Sequence, residues 1–113
     1  MTDDYPALRT ELRQGYRDLA QAIPDQMKGF GALHRSAVAD GALSQVHKEL
    51  MAVAIAICTQ CDDCIALHMH DAIRAGATAE MVHETIGVAV LMGGGPASTY
   101  ATHALRAYEQ FSA

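Results

Sequence analysis

The sequence predicts an all-α protein of about six helices. Apolar residues recur at spacings of three and four along most of the chain, which is the period of an amphipathic helix. Residues that start or stop helices divide this pattern into segments of ordinary helix length. No segment shows a convincing strand–turn–strand pattern. Half of the residues are hydrophobic but only 5% are aromatic, so aliphatic side chains and Ala must form the core, which favours closely packed helices.

The first two predicted helices are separated by a proline. Pro6 suits the first turn of a helix, and one apolar stripe follows it: Leu8, Leu12, Tyr16, Leu19 and Ile23. This helix should end before Pro24. The second should run from about Asp25 to Val38, ahead of the turn-like Asp40-Gly41. Four of its residues are expected to face the core: Met27, Phe30, Leu33 and Ala37.

Ser44 is a suitable N-cap for a third helix from Gln45 to about Cys58. This segment is apolar nearly all round, so the helix should be either central in the fold or part of a subunit interface. The alternation of Ala with Val or Ile over residues 52–57 also fits a strand. The Ala-rich composition and the Ser44 cap favour the helix.

Three further helices complete the predicted fold. One should cover residues 61–75 and end at Gly76, which tolerates the left-handed conformation. Thr78 caps the next helix, and the glycine run at 93–95 interrupts it. The last helix should cover residues 96–111, with a proline in its first turn.

Length and charge limit the class of protein. The 113 residues make a single domain, residues 1–113, without an internal repeat. A net charge of −5 and the absence of a basic cluster argue against nucleic-acid binding. The longest apolar run, Leu50–Cys58, is far shorter than the roughly 20 residues that cross a bilayer. The first residues lack the features of a secretory signal, so we expect a cytoplasmic protein that binds neither nucleic acid nor membrane.

The three cysteines lie close together, at positions 58, 61 and 64. In a cytosolic protein such a cluster indicates redox chemistry or metal binding. Cys61 and Cys64 stand at a predicted helix start, where free N–H groups and the helix dipole favour the nucleophilic thiolate. Residues three apart on a helix have Cβ atoms about 5–6 Å apart, and a disulfide needs about 3.8 Å. A small adjustment would therefore let the pair alternate between dithiol and disulfide. Cys58 ends an apolar run and is expected to be buried.

His68 follows Cys64 by one helical turn on the same face, where it could exchange protons with that sulfur or with a substrate. One segment therefore carries both a nucleophile and a base. Asp62 and Asp63 suit a helix N-terminus, but their negative charge opposes a thiolate beside them.

These residues resemble the signature of a known family. Glu49, eleven intervening residues, Cys61-x-x-Cys64, three more residues and His68 are similar to the motif of the alkylhydroperoxidase AhpD branch of the carboxymuconolactone decarboxylase superfamily. The resemblance covers about residues 24–110. Further segments resemble the core domain of the family: residues 30–34, 41–44, 48–50, 75–78 and 91–96.

The resemblance implies an AhpD-like helical fold that assembles as a homo-oligomer, a trimer or hexamer. It also implies a thiol-dependent peroxidase or disulfide oxidoreductase that needs no cofactor or metal. Cys64 would attack the peroxide oxygen and become a sulfenic acid, and Cys61 would resolve it as a disulfide. Glu49 and His68, linked through a water, would relay the proton. The substrate would be a small peroxide or disulfide, and the electron donor an unidentified thiol or dithiol.

One position departs from the pattern of the family. AhpD members carry a His immediately before the second cysteine as a further proton-relay residue, and this chain has Asp63 there. Its negative charge opposes a thiolate at Cys64. A general thiol–disulfide role tolerates this change more easily than rapid peroxide turnover does.

Other interpretations of the cluster stay open. Zinc usually has four ligands from two pairs, and an iron–sulfur site would need a fourth cysteine. A lyase that decarboxylates a lactone acid, as in other members of the superfamily, would not use the cysteine pair. A non-catalytic metal-binding or interaction protein on the same fold is a further alternative. His34 and His70 are secondary candidates for lining a site.

Overall fold

The structure, a computed structural model, describes residues 3–113. The helices in this part of the chain are α1 (Tyr5–Ala22), α2 (Pro24–Val38), α3 (Gln45–Cys58), α4 (Asp62–Arg74) and α5 (Ala79–Ser112). The predicted all-α class is confirmed, and the described residues contain no strand. The predicted break at 93–95 lies inside α5, where Gly94 has a φ of 69° and a ψ of −149°. The fifth and sixth predicted helices are therefore two segments of one kinked element.

Short-range sequence signals set the helix ends. The side chains of Asp4, Ser44 and Thr78 each accept the backbone N–H three residues further on, at 3.0, 3.4 and 3.2 Å. These bonds satisfy donors that have no partner inside the first turn of a helix. After α4, Gly76 has a φ of 112°, a conformation that a residue with a Cβ rarely adopts.

The central helix is α3, which packs against both α4 and α5. Four α3 side chains form the middle of the apolar core: Leu50, Val53, Ala56 and Ile57. The side of α5 that faces the core is made mainly of alanines, which let the helices approach closely: Ala89, Ala97, Ala101, Ala104 and Ala107. The packing leaves no room for a Cβ at Gly93, since one would lie 2.4 Å from the Ala97 Cβ and 3.1 Å from the Cys58 Sγ. None of the helices in residues 3–113 is both long and apolar enough to cross a membrane.

The prediction that four residues of α2 face the core is wrong. No residue of α2 is buried, and the side chains of Phe30 and Leu33 are 51% and 62% exposed. The reason is that α2 lies at the edge of the fold, where it packs mainly against α1. Its apolar residues are left to line open cavities, one of which adjoins the cysteine pair.

The expected burial of Cys58 is also wrong, because its side chain is exposed in the single chain. Cys58 is the last residue of α3, and its Sγ donates to the backbone oxygen of Ala89 at 3.5 Å. The helix α3 lies at the centre of the fold, as expected, but only one of its sides is buried. Met51 and Ile55 on its other side are exposed.

Tyr5 ties the start of α1 to the rest of the fold. Its side chain is fully buried, and its hydroxyl donates to the Asp62 carboxylate at 2.8 Å. Its backbone N–H donates to the Gln110 side chain at 2.8 Å, and that amide in turn donates to the backbone oxygen of Asp3 at 2.9 Å. The beginning of α1 is therefore held against α4 and the end of α5.

We predict that Tyr5→Phe lowers the free energy of unfolding by about 1–2 kcal/mol, because a buried hydrogen bond to a carboxylate is lost. Burial, followed by the hydrogen bond to Asp62, raises the pKa of Tyr5 above its ordinary value. The folded state thus holds the phenol proton more tightly than the unfolded chain, so this stabilisation is present below pH of about 10 and is lost above it. Denaturant unfolding at pH 7 and pH 10.5 should show the difference between wild type and variant narrowing at the higher pH. Equal stability of the two proteins at pH 7 would contradict the role given to this bond.

Candidate active site

The cysteine pair stands at the start of α4 and is joined as a disulfide. Cys61 is the N-cap of α4, and its Sγ accepts the backbone N–H of Cys64 at 3.2 Å. The Cα atoms of the two cysteines are 5.2 Å apart. A cysteine sulfur at an N-cap receives a hydrogen bond and the positive end of the helix dipole, and both favour a thiolate after reduction.

The two aspartates between the cysteines have different surroundings. The carboxylate of Asp62 accepts the hydroxyl of Tyr5 and the Nδ1 of His103, each at 2.8 Å. Asp63 is exposed. The charge of Asp62 is thus partly balanced by donors from α1 and α5, while water screens the charge of Asp63. This arrangement reduces the opposition of both charges to a thiolate nearby.

Glu49 and His68 form a directly hydrogen-bonded pair. Glu49 Oε1 lies 2.8 Å from His68 Nδ1, so the expectation of a connecting water is wrong. The Glu49 side chain is 1% exposed and that of His68 20% exposed, and Glu49 is the only buried charged residue in the described part of the chain. A buried carboxylate needs such a donor, because burial removes its water. The bond uses Nδ1 and leaves His68 Nε2 available for a proton transfer.

An apolar cavity of about 230 Å³ brings Cys64 and His68 together. Most of its wall comes from α1, α2 and α4, and the residues that line it are Leu12, Tyr16, Phe30, Leu33, His34, Cys64, Leu67 and His68. Cys61 is not among them. Cys64 is therefore the sulfur that a small molecule in this cavity would meet. Glu49 does not line the cavity but contacts His68, which does.

Two residues extend the predicted site. His34 on α2 and Asp71 on α4 lie close to Glu49 and His68, and one potential ligand atom from each of the four lies within 4.8 Å of all the others. Donor atoms around a zinc ion are closer, about 3.3 Å apart for tetrahedral bonds of 2.0–2.1 Å. The four residues could hold a divalent cation only if their ligand atoms moved closer together. The secondary candidate His34 lines the cavity, whereas His70 instead pairs with Asp71 at 2.9 Å.

The sequence spacing placed Cys64 and His68 on one face of α4, but Asp71 was not among the predicted site residues. Asp71 continues the same face one turn further, at i+3 from His68. That periodicity could have identified it. His34 lies on a different helix, so only the tertiary structure, in which its ring centroid is 5.8 Å from that of His68, reveals its position.

Fold and site together define a class of protein: an all-helical domain with a cysteine pair at a helix start and a buried carboxylate–histidine pair beside it. The model of the carboxymuconolactone decarboxylase family matches residues 24–107 of the chain. The chain belongs to this family, and its helical arrangement is the AhpD-like fold.

Relatives match over much or all of the chain. An uncharacterised protein of Cupriavidus necator is 38% identical over 113 residues, which is 100% of both chains. The uncharacterised protein 4 in the cox locus of Paracoccus denitrificans is 44% identical over 81 residues, 72% of this chain and 73% of its own length.

Crystal structures of two proteins of this family show the same fold. The protein from Legionella pneumophila has a TM-score of 0.94 at 38% identity, with 99% of this chain and 100% of that chain covered. A protein from Thermotoga maritima has a TM-score of 0.83 at 25% identity, with 91% and 88% covered. A part in the antioxidative response has been suggested for the Thermotoga maritima protein.

Proposed function

We propose that the chain is a cytoplasmic thiol-dependent oxidoreductase that reduces hydroperoxides or small disulfides through Cys64 and Cys61. The observation that carries this proposal is the joint position of Cys64 and His68 on one apolar cavity, with the Cys61–Cys64 disulfide at its edge and Glu49 bonded to His68. Membership of a family with AhpD-like peroxidases supports it, and so does the likeness to the Thermotoga maritima protein.

In the proposed peroxide reaction, the Cys64 thiolate attacks the terminal oxygen of a hydroperoxide. The O–O bond breaks, Cys64 becomes a sulfenic acid, and the alkoxide leaves as an alcohol after taking a proton from His68. Glu49 stabilises the protonated imidazole before that transfer. Cys61 then attacks the Cys64 sulfur, a disulfide forms, and water leaves. A thiol or dithiol donor returns two electrons and two protons and restores the dithiol.

The two sulfurs differ in a way that suits the reductive half of the cycle. Cys61 accepts the Cys64 N–H at the N-cap, so it is the better stabilised thiolate and the better leaving group. Cys64 lines the cavity, so it is the sulfur that an incoming thiol reaches. A donor thiol, or a thiol exchanging with a disulfide substrate, would therefore bond to Cys64 and release Cys61.

We predict that Cys64→Ser removes the reduction of tert-butyl hydroperoxide by dithiothreitol. Cys61→Ser, reduced and then freed of dithiothreitol, should stop after one turnover with a sulfenic acid on Cys64. Glu49→Gln keeps the shape of the site but not the charge beside His68, so kcat should fall about 10²-fold or more. Peroxide loss and trapping of the sulfenic acid by a dimedone-type reagent measure these effects.

Cys58→Ser is the matched control and should keep wild-type rates. Rates for Cys64→Ser equal to those of the wild type would refute the proposal. A decarboxylase activity on a lactone acid that survives Cys64→Ser would favour the lyase alternative.

We also propose that the protein assembles as a homo-oligomer, a trimer or hexamer, through the side of α3 and α5 that the single chain leaves open. Five large apolar side chains are exposed on this side: Met51, Ile55, Val88, Leu91 and Met92. Leu91 and Met92 are 79% and 77% exposed. An apolar patch of this kind is typical of a subunit interface.

Leu91→Glu should convert the oligomer to a monomer, because it puts a charge into the proposed apolar interface. Leu19→Glu, at a position of α1 where the side chain is 40% exposed, is the control and should leave the assembly intact. Sedimentation velocity at micromolar concentration measures the mass, and circular dichroism checks that the helices persist. A monomeric wild-type protein would contradict the proposed assembly.

A further inference from the structure

A second cavity lies next to the one that Cys64 lines. It encloses about 470 Å³ between α1, α2 and α4. Four residues line both cavities, namely Tyr16, Phe30, His34 and Leu67. The two cavities are therefore adjacent, and we call them together the α1 groove. Its combined size is in the range of small-molecule binding sites.

The far part of the α1 groove is strongly basic. Arg9, Arg13 and Arg17 recur every four residues on one face of α1, and all three line the second cavity. Asp71 is the only acidic residue that lines it. The whole chain has eight Lys and Arg residues and a net charge of −5. Three of the eight cationic side chains thus line one cavity, which makes it locally positive in a chain that is negative overall.

Two more arginines lie in a cavity next to the second one. This cavity of about 450 Å³ is lined by Arg35 and Arg74, and it shares His34 and Asp71 with the second cavity. With the three arginines of α1, this makes five of the eight cationic side chains around His34 and Asp71. Crowded like charges repel one another, and an anion placed among them would relieve that repulsion.

Arg9 shows the effect of this crowding. Burial, and then the charges of Arg13 and Arg74, lower the pKa of Arg9, while Asp71 acts in the opposite direction. The Nε of Arg9 and the Nε2 of His34 are buried without a hydrogen-bond partner, two of three such side-chain atoms in residues 3–113. A buried donor without an acceptor is costly. Arg9 Nε is such a donor, whereas His34 Nε2 donates or accepts according to the tautomer. Both atoms belong to side chains that line the α1 groove, and an anionic ligand there would supply the acceptor that Arg9 lacks.

We propose that the α1 groove binds a carboxylate-bearing apolar substrate, with the carboxylate among Arg9, Arg13 and Arg17 and the reactive end at Cys64. The proposal rests on the proposed function and names its substrate class, an acyl-chain hydroperoxide. The planar fork of a guanidinium matches a carboxylate with two parallel hydrogen bonds.

Between the two ends the groove is apolar, since Tyr16, Phe30 and Leu67 form its shared wall. Cys64 and Asp71 are seven residues apart on α4, which places them about 10 Å apart along the helix axis. Asp71 lines the basic cavity, so a carboxylate held by the arginines there and a peroxide at Cys64 need an apolar spacer of several carbon atoms. Short peroxides would reach Cys64 but would gain nothing from the arginines.

Binding can be tested without turnover on the oxidised protein, whose disulfide is closed. By calorimetry, decanoate should bind at least about tenfold more tightly than decanol, and added salt should weaken the binding. The double variant Arg9→Gln/Arg13→Gln should lose about tenfold or more in affinity. Lys28→Gln, a cation of α2 outside these cavities, is the matched control and should bind as the wild type does. Equal binding of decanoate and decanol would overturn the proposal, and tighter binding of decyl phosphate than of decanoate would overturn the carboxylate assignment.

Turnover supplies the second test. The 13-hydroperoxide of linoleic acid and its methyl ester share the acyl chain and the peroxide and differ at the head group, which is a carboxylate in one and an uncharged ester in the other. The wild-type protein should have a kcat/KM about tenfold or more higher for the acid, and the double variant should lose most of this preference through KM. No reduction of any peroxide would refute the proposed function while leaving decanoate binding as an independent readout. Reduction of acid and ester at equal rates, unchanged in the double variant, would refute the α1 groove as the substrate site.

Discussion

A carboxylate buried in the core needs a donor, and Glu49 in the first half of α3 has one in His68, 2.8 Å away. This bond joins α3 to α4 at the level of the cysteine pair. The rest of the site follows from it, because fixing Nδ1 of His68 orients the ring and leaves Nε2 for chemistry. Cys64 lies one turn before His68 on the same face of α4 and lines the cavity with it, whereas Cys61 does not line it.

The helices were predictable because their ends depend on neighbours in sequence. The caps at Ser44 and Thr78 and the left-handed Gly76 each need only a few residues of context. Burial depends instead on which helices meet. Phe30 and Leu33 have the period of a buried stripe, but α2 lies at the edge, so they line open cavities.

The residues of the site likewise fall into those that local sequence brings together and those that only the packing of the helices brings together. Cys61, Cys64 and His68 lie within one helical segment, so spacing alone brought them together. Glu49 comes from another helix, and its proximity was implied by the family resemblance. The arginines of α1 also lie on another helix, so their spacing alone does not place them near the cysteine pair. Only the docking of α1 against α4 turns them toward the groove that leads to Cys64.

The central claim is that Cys61 and Cys64 act as one redox pair, and the most direct measurement uses Cys58 as an internal reference. The fully reduced protein is treated with one equivalent of organic hydroperoxide, alkylated, and examined by peptide mass spectrometry. We expect one alkyl group, on Cys58, and an intramolecular Cys61–Cys64 disulfide. Three alkyl groups, or oxidation confined to the exposed Cys58, would contradict the account.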